Sequence, residues 1–338
     1  MEVWGLTMTR RLAAFATVTM VLACACPAMA GSAGPQKTPM SLDEVRAAAA
    51  AGDRGAENEL GRVYYNGLGA EIDHRQAFTW YGKAAEQGLA AAQSQVGDMY
   101  AAGDGVDKDP AQALKWYRVA AAQGDLHAVY EIAEAYDNGA GVTRDETQAF
   151  TWYARAAAGG LADAQYNLGV MYDSGQGVRI NYIHAAEWYE KAANQGVADA
   201  QYNLAMMYER GEGVPSSDRG AVYWLYKAAA QGQVMAQAEL GQNYRDGRGV
   251  KANDQTAFQW FLLAATQGDA ASEARLASCY DEGRGVESDP VRAYAWASLA
   301  AAQGQADAMS LLRTLDASLP ETEKVDAAGL ARRLVARP

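Results

Sequence analysis

Residues 164–196 read AQYNLGVMYDSGQGVRINYIHAAEWYEKAANQG. Ala164, Leu168, Gly169, Met171 and Tyr172 fall at i, i+4, i+5, i+7 and i+8, the apolar stripe of an α-helix. Gly175-Gln176-Gly177-Val178 stops that helix and turns the chain. A second helix follows, carrying Ala185, Trp188, Tyr189, Ala192 and Ala193 on one face. Gly196 is placed to adopt the left-handed conformation that ends many helices.

The unit recurs at a period of 36 residues with no insertion or deletion. Trp80, Trp116, Trp152, Trp188, Trp224, Trp260 and Trp296 mark it, as do Tyr64, Tyr100, Tyr136, Tyr172, Tyr208, Tyr244 and Tyr280. Paired glycines run from Gly67 and Gly69 to Gly283 and Gly285. A fixed period of this size marks a stacked array, each unit burying its apolar face against the next. The residue before each second helix is Asp73, Asp109, Asp145, Asn181, Ser217, Asn253 or Asp289, all good N-caps. Gln76, Gln112 and Gln148, three residues on, are expected to complete a variant capping box. Pro110 and Pro290 take the first helical position, where no N–H is needed. Recurrent alanines (Ala56 to Ala236 in the first helix, Ala84-Ala85 to Ala300-Ala301 in the second) let helices approach closely.

No strand pattern occurs. The expected fold is all-α: an α/α superhelical solenoid of seven full repeats, right-handed by analogy with other helical arrays, with capping helices at both ends. Residues 41–52 read as a lone second helix in register, with Glu44 where the tryptophan would stand. Gln305 to Asp316 reads as an eighth first helix, and Leu319 to Leu334 as a final charged one. The expected organisation is a signal peptide at 1–30, a disordered lead at 31–40, the solenoid at 41–316 and a C-terminal capping helix at 317–338. In the leader, Arg10 and Arg11 precede the apolar run 12–26, and Ala28-Met29-Ala30 supplies a cleavage signal before Gly31. Val21 to Cys24 is an imperfect lipobox, so membrane attachment is expected only if Cys24 is lipidated. A periplasmic or secreted location in a Gram-negative-type bacterium follows. Beyond the leader the only cysteine is Cys279, which leaves no intramolecular disulfide.

The pattern A-x-x-x-L-G-x-x-Y-x-x-G-x-G-V … D-x-x-x-A-x-x-W-Y-x-x-A-A-x-x-G closely resembles the Sel1-like repeat, over residues 41 to about 316. The tetratricopeptide repeat differs in its 34-residue period. The resemblance implies a scaffold for protein–protein interactions, often periplasmic or secreted, and no catalytic activity. Some secreted Sel1 proteins are disulfide-rich and described as β-lactamase-like, but their cysteine pairs are absent here.

The chemistry-bearing residues agree. The G-x-G pairs follow helices rather than strands, so they are turns and not phosphate cradles. His74, His127 and His184 occupy three different repeat positions and read as surface residues. No metal-ligand spacing occurs and no cofactor is expected. Cys279 shares a column with Val63, Met99 and Met171 and reads as a buried, inert thiol. The net charge of −12, with no basic stripe, argues against nucleic acid as a partner. On the first helices, the positions not used for packing form a candidate concave groove: Tyr130, Glu134 and Asp137, then Tyr166, Val170 and Asp173, then Tyr202, Met206 and Glu209. This groove suits a protein partner with a basic or apolar segment. The rival functions are an assembly factor for envelope or exopolysaccharide machinery, a secreted effector binding host proteins, and a peptidoglycan or β-lactam hydrolase. The last lacks a co-located acid, base and nucleophile.

Overall fold

The computed structural model describes residues 40–335. The expected signal peptide, and all of the expected lead but Met40, lie outside the described residues. Among those described there are seventeen helices and no strand. Helix α1 (Leu42–Ala50) precedes seven pairs. The first helix of each pair, helix A, is α2 (Arg54–Asn66), α4 (Ala90–Ala102), α6 (Leu126–Asn138), α8 (Ala162–Ser174), α10 (Ala198–Arg210), α12 (Val234–Asp246) and α14 (Ala270–Glu282). The second, helix B, is α3 (His74–Glu86), α5 (Pro110–Ala122), α7 (Glu146–Ala158), α9 (Tyr182–Asn194), α11 (Asp218–Ala230), α13 (Asp254–Ala265) and α15 (Pro290–Ala302). An eighth A helix, α16 (Ala306–Ser318), and α17 (Glu321–Val335) follow.

From α1 to α16 each helix packs on the next in sequence, so the core is a continuous seam rather than a centre. Leu60, Val96, Ile132, Leu168, Leu204, Leu240 and Leu276 occupy one column of that seam and are fully buried. Each contributes roughly 1.5–3 kcal/mol of apolar burial. The paired alanines of helix B are buried beside them, Ala301 excepted.

All seven N-caps form as expected, each side chain accepting from an amide of the first turn, as in Ala111 and Gln112 to Asp109 at 3.0 Å. The capping box does not form. The backbone N–H of Asp73, Asp109 and Asp145 donates instead to the carbonyl of Tyr64, Tyr100 and Tyr136 at 2.9 Å. The same bond recurs in every repeat, so the last turn of helix A already satisfies the donor that a glutamine side chain would have served. The two turn glycines have separate jobs. The first, such as Gly175 at φ 80°, closes helix A in the left-handed region. The second abuts the preceding repeat: a Cβ on Gly177 would lie 2.2 Å from the carbonyl oxygen of Glu146 on α7.

The tryptophans are not the deepest residues. Only Trp224 and Trp296 are buried, while Trp188 and the other four are half-buried at the edge of the seam. Cations cover several of them, with Lys83 3.8 Å above Trp80 and Lys191 3.6 Å above Trp188. The next residue goes to the bottom: Tyr81, Tyr117, Tyr153 and Tyr189 are buried. Gly61, Gly97 and Gly169 of helix A make room for three of those rings, since a Cβ there would stand 2.5–2.7 Å from ring carbon.

A polar ladder runs through the seam. Gln93, Gln165, Gln201 and Gln237 are buried on α4, α8, α10 and α12, and each donates to a carbonyl at the end of the preceding B helix (Ala85, Ala157, Ala193, Ala229) at 3.0–3.2 Å. Each accepts in turn from the glutamine that ends its own B helix (Gln123, Gln195, Gln231, Gln267) at 2.7–2.8 Å. One amide thus ties three helices with no buried polar atom left over. The third repeat changes the whole set together. Val129 and Gly159 replace the two glutamines, Leu126 packs where the second side chain would lie, and Arg155 supplies the side-chain donor to the carbonyl of Ala121 at 2.6 Å.

At the C-terminal end α17 packs chiefly on α15, not on its sequence neighbour α16. Ala327 and Ala331 seat against Ala295, with Val291 and Leu299 at the margin. Where α3 carries Arg75, Thr79 and Lys83, α15 carries Val291, Ala295 and Leu299, so the sequence prepares this helix to be covered.

Candidate partner-binding face

The nine groove residues stand at equivalent positions on α6, α8 and α10, and all are half-buried. Val170 and Met206 lie with Tyr166 and Tyr202 over the core between α9 and α12. Tyr130 and Tyr166 are held rather than free. Tyr130 donates to Glu134 at 3.0 Å and accepts from Asn167 of the next A helix at 3.2 Å. Its ring meets that of Tyr153 at 5.6 Å, and the Tyr153 hydroxyl donates to the same Glu134 oxygen at 2.7 Å. Tyr166 lies against Tyr189 at 6.0 Å, and Tyr189 donates to Asp173 at 3.4 Å. Ordering of this kind presents a rigid aromatic face with little entropy left to lose on binding.

The carboxylates are less well served. Arg144 stands 4.0 Å from Asp137, and Arg248 stands 4.0 Å from Glu209. Burial pushes the Asp173 and Asp137 carboxyls up, Glu212 adding to the first and Arg144 opposing the second. Glu131 is also raised, by burial opposed by His127. The face over these repeats is short of cations.

Two features escaped the sequence reading. One is the column Glu131, Asn167, Asn203 and Glu239, one position beyond the tyrosines, in which Asn167 and Asn203 bond Tyr130 and Tyr166 of the preceding repeat. The other is an arginine cluster farther along, where Arg245, Arg275 and Arg284 line a cavity of about 110 Å³. Its members sit in different repeat columns, so no single column shows it.

The histidines stay apart: His74 stacks on Tyr65 at 4.8 Å, His127 lies 3.0 Å from Asp98, and His184 lies 3.1 Å from Glu187. Cys279 is buried, and burial pushes its thiol up to about 11. Among the described residues no group of three or more His, Cys, Asp or Glu could hold a metal ion. No described helix is long and apolar enough to cross a membrane.

Tandem helix pairs in fixed register, each packed on the next, define a helical-repeat solenoid. The model of the Sel1 repeat matches residues 55–89, 90–125, 126–161, 162–197, 198–233, 234–269 and 270–305, and the chain belongs to the Sel1 repeat family. Among solved structures it is similar to a Sel1 repeat protein from Oxalobacter formigenes, with 34% identity over 81% of this chain and 79% of that one at a TM-score of 0.66. It is also similar to c5321, a protective antigen of uropathogenic Escherichia coli with an SLR fold, with 29% identity over 87% and 86% of the two chains at a TM-score of 0.51. No match was found among curated proteins.

Proposed function

We propose that this chain is an exported scaffold that holds a protein partner non-covalently on the A-helix face of α6, α8 and α10. Family membership supports a binding role rather than catalysis, because Sel1 solenoids offer extended surfaces. The observation that carries the specific reading is the pairing of an aromatic and apolar strip (Tyr130, Tyr166, Val170, Tyr202, Met206) with the half-buried carboxylates of Asp137 and Asp173, which burial pushes above the usual carboxylate range. A lysine or arginine from a partner would supply the missing charge, while apolar groups cover Val170 and Met206. Export is supported by the basic start, apolar run and A-x-A signal of residues 1–30.

The test is a triple variant, Tyr166→Ala, Tyr202→Ala and Met206→Ala, used as bait in a periplasmic extract beside the parent. Loss of the parent's partners with an unchanged helical spectrum is expected. Undiminished recovery would remove this face from consideration. Mass spectrometry of the mature N-terminus checks the address: Gly31 is expected, and an acylated Cys24 would replace a free protein with an anchored one.

A further inference from the structure

We infer that the A face carries an anion subsite between α12 and α14 that takes a carboxylate of a bound peptide. Arg245 comes from α12, Arg275 from α14 and Arg284 from the turn after it, and the three line one cavity with Phe261 and Ala257 of α13. The guanidinium carbons of Arg275 and Arg245 lie 5.5 and 6.0 Å from the centre of the Phe261 ring. Contact with the ring restricts the side chains and leaves guanidinium N–H groups available for a ligand. Among the described residues Arg275 has no carboxylate within ion-pair distance. Arg245 and Arg284 meet only Asp246 and Glu282, each at 3.6 Å, beyond a good hydrogen bond.

The wall settles the kind of anion. Asp254 and Glu282 also line the cavity and Asp246 stands beside Arg245, so the charges nearly balance and Arg275, with no carboxylate in reach among the described residues, is the guanidinium left to take an anion. A monovalent carboxylate can accept two parallel N–H bonds from that one guanidinium. A doubly charged phosphate would meet the carboxylates of Asp254 and Glu282 with twice the repulsion. The Phe261 ring and Ala257 give an apolar wall for the carbon beside the carboxylate. The subsite also sets polarity. Over α6 to α10 the face asks for cations, and here it asks for an anion, so a bound segment has one direction along the solenoid.

This extends the reading of the A face as a peptide-binding surface, and the two can fail separately. The full chain, with ¹⁵N-labelled arginine, is titrated with N-acetyl-Ala-Phe bearing a free carboxylate, with its C-terminal amide, with N-acetyl-aspartamide and with inorganic phosphate. Arginine Nε–H resonances are followed. Saturable shifts of Arg245 and Arg275 with the free acid and none with its amide are expected. Arg275→Gln weakens the effect about tenfold or more, as loss of a charged hydrogen bond requires, and Arg284→Gln gives a second reading at an exposed position. A response to N-acetyl-aspartamide equal to that of the free acid assigns the subsite to side-chain carboxylates, and a much weaker one assigns it to a chain terminus. Equal shifts with acid and amide, tighter binding of phosphate, or an unaltered titration in Arg275→Gln would overturn the inference. Intact carboxylate binding beside undiminished partner recovery in the tyrosine–methionine triple variant would sink only the groove over α6 to α10.

Discussion

Replacing Glu273 by glutamine should stabilise the protein in alkaline solution and leave it nearly unchanged in acid. Glu273 occupies the ladder position held by Gln93, Gln165, Gln201 and Gln237, and is equally buried. It accepts from Gln303 at 2.9 Å, as its counterparts accept from theirs. Those glutamines also donate to a carbonyl eight residues back, and the equivalent carbonyl here belongs to Ala265. A carboxylate cannot donate, but a protonated carboxyl can. Burial pushes Glu273 up to about 7 from an ordinary 4.5, Gln303 opposing and Asp269 assisting. Between those values the folded protein keeps a proton that the unfolded chain has released, so stability falls as pH rises. The favourable contribution is complete below 4.5 and gone above about 7. At about 1.4 kcal/mol per pH unit, the whole effect is on the order of 3 kcal/mol. Glu273→Gln replaces the carboxyl with a donor that no pH removes. Urea unfolding of parent and variant at pH 5 and pH 8 is the assay, with hydrogen exchange of α14 and α15 to locate the effect. The variant's advantage should widen by roughly 2–3 kcal/mol between the two conditions. An advantage that is constant with pH would refute the reasoning, because it would mean Glu273 carries the same charge in both states.

Gly177→Ala should cost roughly 2–4 kcal/mol and Gly69→Ala only about 1–2, since both require a left-handed residue but only the former drives a methyl into another repeat's backbone; equal losses in paired chemical denaturation would discount that contact. Gln201→Ala removes the side-chain bond to the Ala193 carbonyl, which keeps the Gly196 amide, and strips the Gln231 amide of its close acceptor, for a loss of about 2 kcal/mol. Transplanting the third repeat's solution (Lys227→Arg, Ala198→Leu, Gln201→Val and Gln231→Gly) should recover most of that loss in the same measurement. Cys279, with its thiol near 11, should resist a disulfide reagent at pH 8 in the folded protein and react at once in guanidinium; rapid labelling of the native state would count against its burial.

What the sequence showed depended on the range of the interaction. Caps, turn glycines and the alanine columns act within a few residues, and Asp73 through Asp289 could be read directly. The period then supplied the stacking. Trp188 and Tyr189 are adjacent and both aromatic, so periodicity could not say which one reaches the bottom; the cavity left by Gly169 decides for the tyrosine. Gln76 satisfied a local rule and still lost its place, because the cap amide found a carbonyl nine residues back in the preceding helix. Gln201 is polar and would be read as solvent-facing, whereas it is buried among three helices. The placement of the nine groove residues on one face was legible from spacing, but their hydrogen bonds to Asn167 and to the buried tyrosines were not. The arginine cavity needs Phe261 between two A helices to gather it.

The contact of each second turn glycine with the preceding repeat has a consequence for how such a chain can change length. Gly177 rests on the carbonyl of Glu146, Gly213 on that of Tyr182, and Gly249 on that of Asp218. The backbone is therefore indexed like the links of a watch strap. Adding or losing a single residue in a helix would move a glycine off its seat and put a side chain there. Removing one whole link would present an identical seat to the next. Growth and shrinkage by complete repeats is the route the geometry leaves open, and the variable residues of the A face travel with each link.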